Sequence, residues 1–273
     1  MRPAALDRRG PRVTRALAAG FDGRSEASLH PDLRTFLGDL VRPYGLPLRE
    51  DLLAEGAGHD YGEMAAGLLG KVLAEDEPAD LLILAFSSHD VRPAAPSALH
   101  LSRHCPGQPT AFAVCDQGSA AAFTALRLAA AHQRTGGSRR AVVVLAEQSV
   151  LHYETPGPAV LPERHQAVVL VCEEGAGEGL RVRQEAQPDG PAALSSVLAA
   201  HRELGPGARL LLASGLGADG VPDDAVAAPP GQPFTGVWSL LADHLARHPE
   251  GGGPLLVADH DRQLGRLSTL TLP

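Results

Sequence analysis

The sequence predicts an α/β protein built from two similar halves. Short, continuously apolar runs at residues 80–86 and 140–146 are typical of strands that are buried on both faces of a sheet. Helical segments alternate with such runs, which indicates mainly parallel sheets covered by helices on both sides. The order strand, long loop, helix, strand and closing strand occurs twice. We therefore expect a pseudo-duplicated chain with layered sheets and helices.

Apolar spacing and apolar runs place the individual elements. The predicted helices span residues 30–41, 61–73, 118–132, 192–204 and 237–247. The predicted strands span residues 80–86, 111–114, 140–146, 166–172, 209–213, 254–258 and 267–272. Residues 1–29 are rich in arginine and weakly patterned, and their last ten are predicted to form a loop. The two halves are expected at residues 1–173 and 174–273, in one compact unit.

Composition excludes several classes of function. The chain of 273 residues is 44% hydrophobic and only 4% aromatic, so it predicts a large core of Leu, Val and Ala. Its formal net charge of −8 and the lack of a basic cluster disfavour binding to nucleic acid or anionic membranes. Three cysteines, an odd number, favour free thiols in a reducing compartment. With no apolar leader or membrane span in view, the expected location is the cytoplasm.

Cys115 occupies a position suited to a nucleophile. It ends the predicted strand 111–114 and directly precedes a helix, whose dipole and free N–H groups favour a thiolate and an oxyanion. Gly118 beyond it leaves room for a thioester to approach. Asp116 acts in the opposite direction, because a neighbouring carboxylate raises a thiol pKa. The alternative for Cys115 is a buried, inert cysteine.

A family resemblance rests on three segments around this cysteine. They read Ala-Asp-Leu-Leu-Ile-Leu-Ala-Phe-Ser-Ser at 79–88, Pro-Ser at 96–97 and Ala-Val-Cys-Asp-Gln-Gly-Ser-Ala-Ala-Ala-Phe at 113–123. This pattern resembles the ketoacyl-ACP synthase III branch of the thiolase superfamily, over residues 80–173 and more loosely over 205–273. Residues 1–60 match nothing in the family. The resemblance implies a thiolase-like fold, a homodimer and an acyl group carried on Cys115.

The sequence departs from the family where condensation chemistry would need it. The family's histidine position is matched by Ser214, and its asparagine position falls in Pro-Phe-Thr at 233–235. Decarboxylative condensation is therefore not expected. Asp-His-Asp-Arg at 259–262 replaces the family's glycine-rich loop. We expect His260 on a loop facing Cys115, as a base oriented by Asp259 or Asp261, the alternative being a solvated loop.

The remaining candidate residues concern binding. Ser88 and His89 follow the strand at 80–86, at the end of the sheet where α/β sites form. The expected substrate-binding set comprises His89, Ser88, Gly118, Ser214 and Phe234. His100, His104 and Cys105 share one helical turn, but no second ligand cluster matches them, and no metal site is predicted. The glycine pattern at 215–220 opens no helix, so it does not predict a dinucleotide site.

These features favour an acyltransferase of specialised, polyketide-like metabolism. The donor would be a CoA or acyl-carrier-protein thioester on a phosphopantetheine arm, with no other cofactor. Arg34, Arg42 and Arg49 are candidates to hold that donor. The alternative is a non-catalytic, ketosynthase-like partner subunit in a heterodimer with a ketosynthase. Hydrolysis of the acyl-enzyme is a third outcome of the same chemistry.

Overall fold

Two five-stranded sheets form the framework of the protein. The structure, a computed structural model, describes residues 9–92, 96–157, 159–217, 220–249 and 252–273. Its strands are β1 (Arg9–Phe21), β2 (Leu81–Phe86), β3 (Thr110–Val114), β4 (Arg140–Glu147), β5 (His165–Ala176), β6 (Arg181–Ala186), β7 (Arg209–Leu212), β8 (Val226–Ala227), β9 (Leu255–Asp261) and β10 (Arg266–Leu272). Its α-helices are α1 (Leu33–Val41), α2 (Glu50–Glu55), α3 (Tyr61–Val72), α4 (Ser97–His104), α5 (Ala120–Arg134), α6 (Gly190–Glu203) and α7 (Gly236–Arg247).

The two sheets repeat one topology. Their strand orders are β1-β5-β4-β2-β3 and β6-β10-β9-β7-β8. In each sheet the last three strands run parallel, and the first two pair antiparallel. The predicted duplication is thus confirmed, although the sheets are mixed rather than mainly parallel. β5 continues to Ala176, and β6, the first strand of the second sheet, begins at Arg181.

Five layers of helix and sheet enclose the core. Helices α3 and α4 cover the outer face of the first sheet, and α6 covers the outer face of the second. Helices α5 and α7 lie between the sheets, where Phe123 and Trp238 pack with ring centroids 4.8 Å apart. Around this pair the core consists mostly of Ala, Val and Leu, as the composition predicts.

Strand β1 is the largest element that the sequence analysis misses. Arg, Gly and Ala have low strand propensity, and a register shift between Val13 and Arg15 disturbs the alternation. The strand forms because it pairs along its length with β5 and packs against α7. The prediction of a loop over 20–29 is wrong at its start, since β1 extends to Phe21.

Strand β9 is longer than predicted, which changes the environment of its last three residues. It runs to Asp261 because β10 pairs with it throughout, Asp259 facing Ser268 and Asp261 facing Arg266. Along β9, Val257 packs toward the central helices and Ala258 toward α6. Alternation therefore directs Asp259 and Asp261 to the central layer, and His260 to the opposite face.

Candidate active site

A tight turn joins β3 to α5 and carries Cys115. Asp116 and Gly118 both adopt left-handed backbone conformations, with φ of 59° and 52°. Ser119 follows as the N-cap residue of α5. A non-glycine residue with positive φ is uncommon, so the turn at Asp116 is held by its surroundings. Cys115 is partly exposed at this bend and its sulfur is a free thiol.

The Cys115 thiol is protonated rather than ionised at neutral pH. Burial raises its pKa, and a hydrogen bond from Sγ to Asp116 Oδ2, at 3.4 Å, raises it further. The expected effect of Asp116 is thus present. The predicted advantage of the helix start does not outweigh burial and the neighbouring carboxylate, so acylation of this thiol needs a proton acceptor.

The start of α5 is occupied by a side chain from β9. The backbone N–H of Ser119 donates to Asp261 Oδ2 at 3.0 Å. A Cβ atom on Gly118 would collide with the same carboxylate. Asp261 therefore takes the N–H of Ser119 and the room expected for a thioester, while the N–H groups of Ala120 and Ala121 donate to the carbonyls of Gln117 and Gly118. Glycine is required at 118 for this close approach as well as for its positive φ.

His260 does not lie on a loop facing Cys115. It is a buried residue of β9, and its Nε2 is 2.7 Å from the backbone oxygen of Gln187, on the α6 side. Its Nδ1 is buried, and no described residue forms a hydrogen bond with it. The expectation of a loop fails because pairing with β10 continues β9 through this position. The Nε2 contact with Gln187 therefore directs the imidazole toward the α6 side of β9.

Asp259 is the titratable group that replaces His260 at the site. Only 5% exposed, it lies on the same face of β9 as Asp261. Burial raises the pKa of Asp259 to about 6; contact with the Ser119 side chain opposes this rise and the charge of Asp261 adds to it. A carboxyl group with this pKa exchanges protons near neutral pH, which suits a general base or acid.

A cavity of about 400 Å³ lies beside these groups. It brings together six residues that the sequence analysis selected: Ser88, Gly118, Ser214, Phe234, Asp259 and His260. Cys115 and His89 are not among its described lining residues. Leu151, Tyr153, Val160 and Leu161 form an apolar wall, with Val160 67% exposed at the opening. The cavity combines a carboxylate end with a wall suited to a carbon chain.

Polar anchors fix the strand-end segment after β2. The Tyr61 hydroxyl lies 2.9 Å from Ser88 Oγ and donates to the Ser88 carbonyl at 3.0 Å. The His89 carbonyl accepts a hydrogen bond from Gln148 Nε2 at 2.6 Å. Ser88 thus faces the cavity from a fixed backbone, while His89 contributes to the structure through its main chain.

Glu147, at the end of β4, is a residue that the sequence analysis did not select. Its buried carboxylate accepts hydrogen bonds from Phe234 N at 3.0 Å, Thr235 N at 2.9 Å and Gln232 Nε2 at 2.8 Å. Burial raises the pKa of Glu147, and these hydrogen bonds oppose the rise. The segment that carries Phe234 into the cavity wall is therefore held by one carboxylate. The available signal was a lone acidic residue that directly follows an apolar strand.

The three arginines proposed to hold a donor are each paired with an acidic side chain. Their partners are Glu50 for Arg34, Asp39 for Arg42 and Asp51 for Arg49. All three pairs are exposed, so each contributes little to stability. The pairing leaves less positive charge available to an anionic donor than the sequence alone indicates.

Within the described parts of the chain, no group of three or more His, Cys, Asp or Glu side chains is arranged to hold a metal ion. Over the same residues, no helix combines the length and apolarity that crossing a bilayer requires.

Two sheets of identical topology around a buried helix pair, with a cysteine at a strand–helix turn, define a thiolase-type fold. Solved structures agree. ChlB3, described as an acyltransferase, is 17% identical with a TM-score of 0.61, covering 96% of this chain and 97% of that one. The priming β-ketosynthase of the R1128 polyketide pathway is 15% identical with a TM-score of 0.61, covering 100% and 98%. The 3-oxoacyl-(acyl carrier protein) synthase III of Pseudomonas aeruginosa PAO1 is 15% identical with a TM-score of 0.59, covering 96% and 98%.

The chain therefore has the ketoacyl-ACP synthase III type of thiolase fold, as its sequence predicts. No protein-family model matches the sequence, and no curated protein sequence matches it. At these identities the likeness concerns the fold, and function has to be argued from the site.

Proposed function

We propose that the protein transfers acyl groups, and that Cys115 carries the acyl group as a thioester between donor and acceptor. The observation that carries this proposal is a free, partly exposed cysteine at the β3–α5 turn, next to a cavity that contains a buried carboxyl group. The donor would be a thioester of CoA or of an acyl carrier protein. The structural neighbours described as an acyltransferase and as synthases agree with this class of chemistry.

In the loading step, the Cys115 sulfur attacks the donor carbonyl and the donor C–S bond breaks. The thiol proton passes to the departing donor thiolate, so protons balance without another reactant. In the second step an acceptor attacks the acyl carbonyl, the C–S bond to Cys115 breaks, and ionised Asp259 takes the proton that the acceptor loses. Asp259 then passes this proton to the Cys115 sulfur, which restores the thiol. Condensation with a malonyl unit is not part of the proposal, because Ser214 and the 233–235 segment lack the histidine and asparagine of condensing enzymes.

The test of the proposal is intact-mass measurement. The purified protein is incubated with a panel of acyl-CoA and acyl-carrier-protein thioesters, and its mass is then determined. A mass increase equal to one acyl group supports the proposal, and the preferred donor identifies the substrate class. No adduct and no thioester turnover with any donor would overturn it.

We expect Asp259→Asn to slow transfer out of the acyl-enzyme by about 10²-fold, because asparagine cannot accept the acceptor's proton. In the unchanged protein the raised pKa of Asp259 places the active, ionised form above about pH 6, so the transfer rate should rise through that pH. Single-turnover decay of preloaded acyl-enzyme, followed from pH 5 to pH 8 by mass, gives both results. Asp189→Asn, at the exposed start of α6, is the control. An unchanged pH profile in Asp259→Asn would contradict the assignment.

A second candidate function is that of a non-catalytic partner of a ketosynthase. It is favoured by Asp261, whose carboxylate holds the N–H of Ser119 where an oxyanion would otherwise bind. A partner subunit would form a stable complex with a synthase encoded nearby and would carry no acyl group itself. Gel filtration of the protein alone and with that synthase, combined with the intact-mass experiment, separates the two functions.

We propose that the exposed edge of β3 forms the dimer interface, with a second copy or with a synthase. β3 is the last strand of the first sheet, and the Ala113 side chain is exposed on it. An uncovered edge strand offers unpaired N–H and C=O groups to another chain. Ala113→Asp should weaken association about tenfold or more, measured by sedimentation equilibrium. Ala227→Asp on β8, the matching edge of the second sheet, is the control. Equal dissociation constants for the two variants would place the interface elsewhere.

A further inference from the structure

We propose that the acyl acceptor is a primary amine that binds as a cation, and that Asp261 determines this preference. The inference rests on the acyl-Cys115 function proposed above and specifies its second substrate. It follows from the position of Asp261, the charges around the cavity and the apolar residues that line the same cavity.

The Asp261 carboxylate is fixed in place by backbone donors. Oδ2 accepts from Ser119 N at 3.0 Å, while Oδ1 accepts from Gln263 N at 3.0 Å and Leu264 N at 2.9 Å. The last two bonds close the turn between β9 and β10, so the strand hairpin presses the carboxylate against Gly118. Three backbone N–H donors therefore hold the Asp261 carboxylate in one position at the cavity.

Asp259, Asp261 and Arg262 carry the charges among the described lining residues at this end of the cavity, so two carboxylates stand against one guanidinium. Asp259 lines the cavity on the same face of β9. Burial, and then the charge of Asp116, raise the pKa of the Tyr153 phenol in the wall, which places Asp116 close to it. Arg262 is the one arginine or lysine among the described lining residues, and its Nε donates to the Gly215 carbonyl at 2.7 Å. The field at this end of the cavity attracts cations.

An anionic acceptor is expected to bind poorly in this cavity. In a site of this fold the start of α5 is the natural place for negative charge, because its N–H groups point outward. Here Asp261 already holds that place. A malonyl carboxylate would lie against both Asp259 and Asp261, with Arg262 as the one cationic side chain among the described lining residues to offset them, so the balance of charge disfavours extender units.

The apolar residues of the cavity indicate what the rest of the acceptor molecule is like. Leu151, Leu161 and Phe234 line the same cavity as the carboxylates, and Val160, 67% exposed, adds apolar surface to it. A molecule that fits both ends has an ammonium group on an apolar carbon skeleton.

The transfer step balances with the groups present. The bound ammonium gives one proton to ionised Asp259 and becomes a neutral amine. Its nitrogen attacks the carbonyl of S-acyl Cys115, the C–S bond breaks and a C–N bond forms. The second proton lost from nitrogen passes to the Cys115 sulfur, which restores the thiol and releases an amide.

Binding is tested first, on the Cys115→Ser protein, so that the result does not depend on acylation. Three probes share one carbon chain: hexylamine, 1-hexanol and hexanoate, each titrated by calorimetry at pH 7.5. We expect hexylamine to bind about tenfold more tightly than hexanol, and hexanoate to bind most weakly. Asp261→Asn should remove most of the difference, because it keeps the acceptor oxygen and loses the charge. Asp189→Asn, which neutralises a carboxylate at the start of α6, should retain it.

Transfer is tested second, on preloaded acyl-enzyme. Hexylamine should yield an acyl-hexylamide faster than hexanol yields an ester, and Asp261→Asn should reduce this ratio about tenfold. Hexanoate binding as tightly as hexylamine, or an amine-to-alcohol ratio unchanged in Asp261→Asn, would overturn the inference. Amine-selective binding without any acyl adduct would instead retain the cation preference and reject the acyl-Cys115 function.

Discussion

Replacing Cys115 with alanine is expected to abolish covalent acylation completely. The three cysteines differ sharply in accessibility, and Cys115 alone is partly exposed, whereas Cys105 and Cys172 are buried. Burial raises the pKa of Cys105 to about 11 and that of Cys172 to about 12. A thiol with either property is a poor nucleophile at neutral pH. Peptide mapping of the acylated protein should therefore locate the whole adduct on the peptide that contains Cys115.

The other cysteines provide the control for this experiment. Cys105→Ala removes a thiol from the end of α4 without altering the β3–α5 turn, and should retain the full mass increase. Limited iodoacetamide labelling supplies a second measure, with modification expected at Cys115 before the protein unfolds. An adduct that persists in Cys115→Ala would show that acyl transfer, if present, uses another nucleophile.

The sequence identifies the elements whose residues are apolar along their whole length. β2 and β4 lie almost where the unbroken apolar runs predict, since such runs have few other environments available. β1 is different, because its strand structure depends on pairing with β5, far away in the sequence. The polar end of β9 is misassigned for the same reason: Asp259 and Asp261 become strand residues through β10, and a polar triplet alone favours a loop.

In the candidate site, too, some features could be predicted from the local sequence and others depend on distant strand pairing. Residues that line the cavity could be selected from their places after strands, as Ser88, Ser214 and Asp259 were. The roles of these residues could not be predicted from the sequence, because the direction of a side chain depends on the register of its strand. Neighbouring residues of β9 point to opposite faces of the sheet, so the His260 side chain points toward α6, whereas Asp259 and Asp261 point to the side of the thiol. The carboxylate that occupies the start of α5 therefore had no signature in the local sequence.

Removing the Glu147 carboxylate is expected to be the most destabilising single change at the site. Glu147→Ala leaves Phe234 N, Thr235 N and the Thr235 hydroxyl without their shared acceptor in the protein interior, while Gln232 Nε2 keeps a longer bond to the Arg164 carbonyl. Each buried donor left unsatisfied costs about 1–3 kcal/mol, and the three share one site, so we expect a loss of about 3–5 kcal/mol in the free energy of unfolding. Urea denaturation followed by circular dichroism measures it.

Two matched variants serve as controls for this prediction. Glu147→Gln keeps one acceptor oxygen and should lose less, about 1–3 kcal/mol. Glu174→Ala, on an exposed position of β5, should change stability by no more than about 0.5 kcal/mol. Because the same carboxylate holds the segment that carries Phe234, Glu147→Gln should also weaken hexylamine binding while the fold persists. If Glu147→Ala were as stable as Glu174→Ala, the 232–235 segment would be held by packing alone, and Phe234 would owe its place in the cavity to the buried faces of α7 rather than to β4.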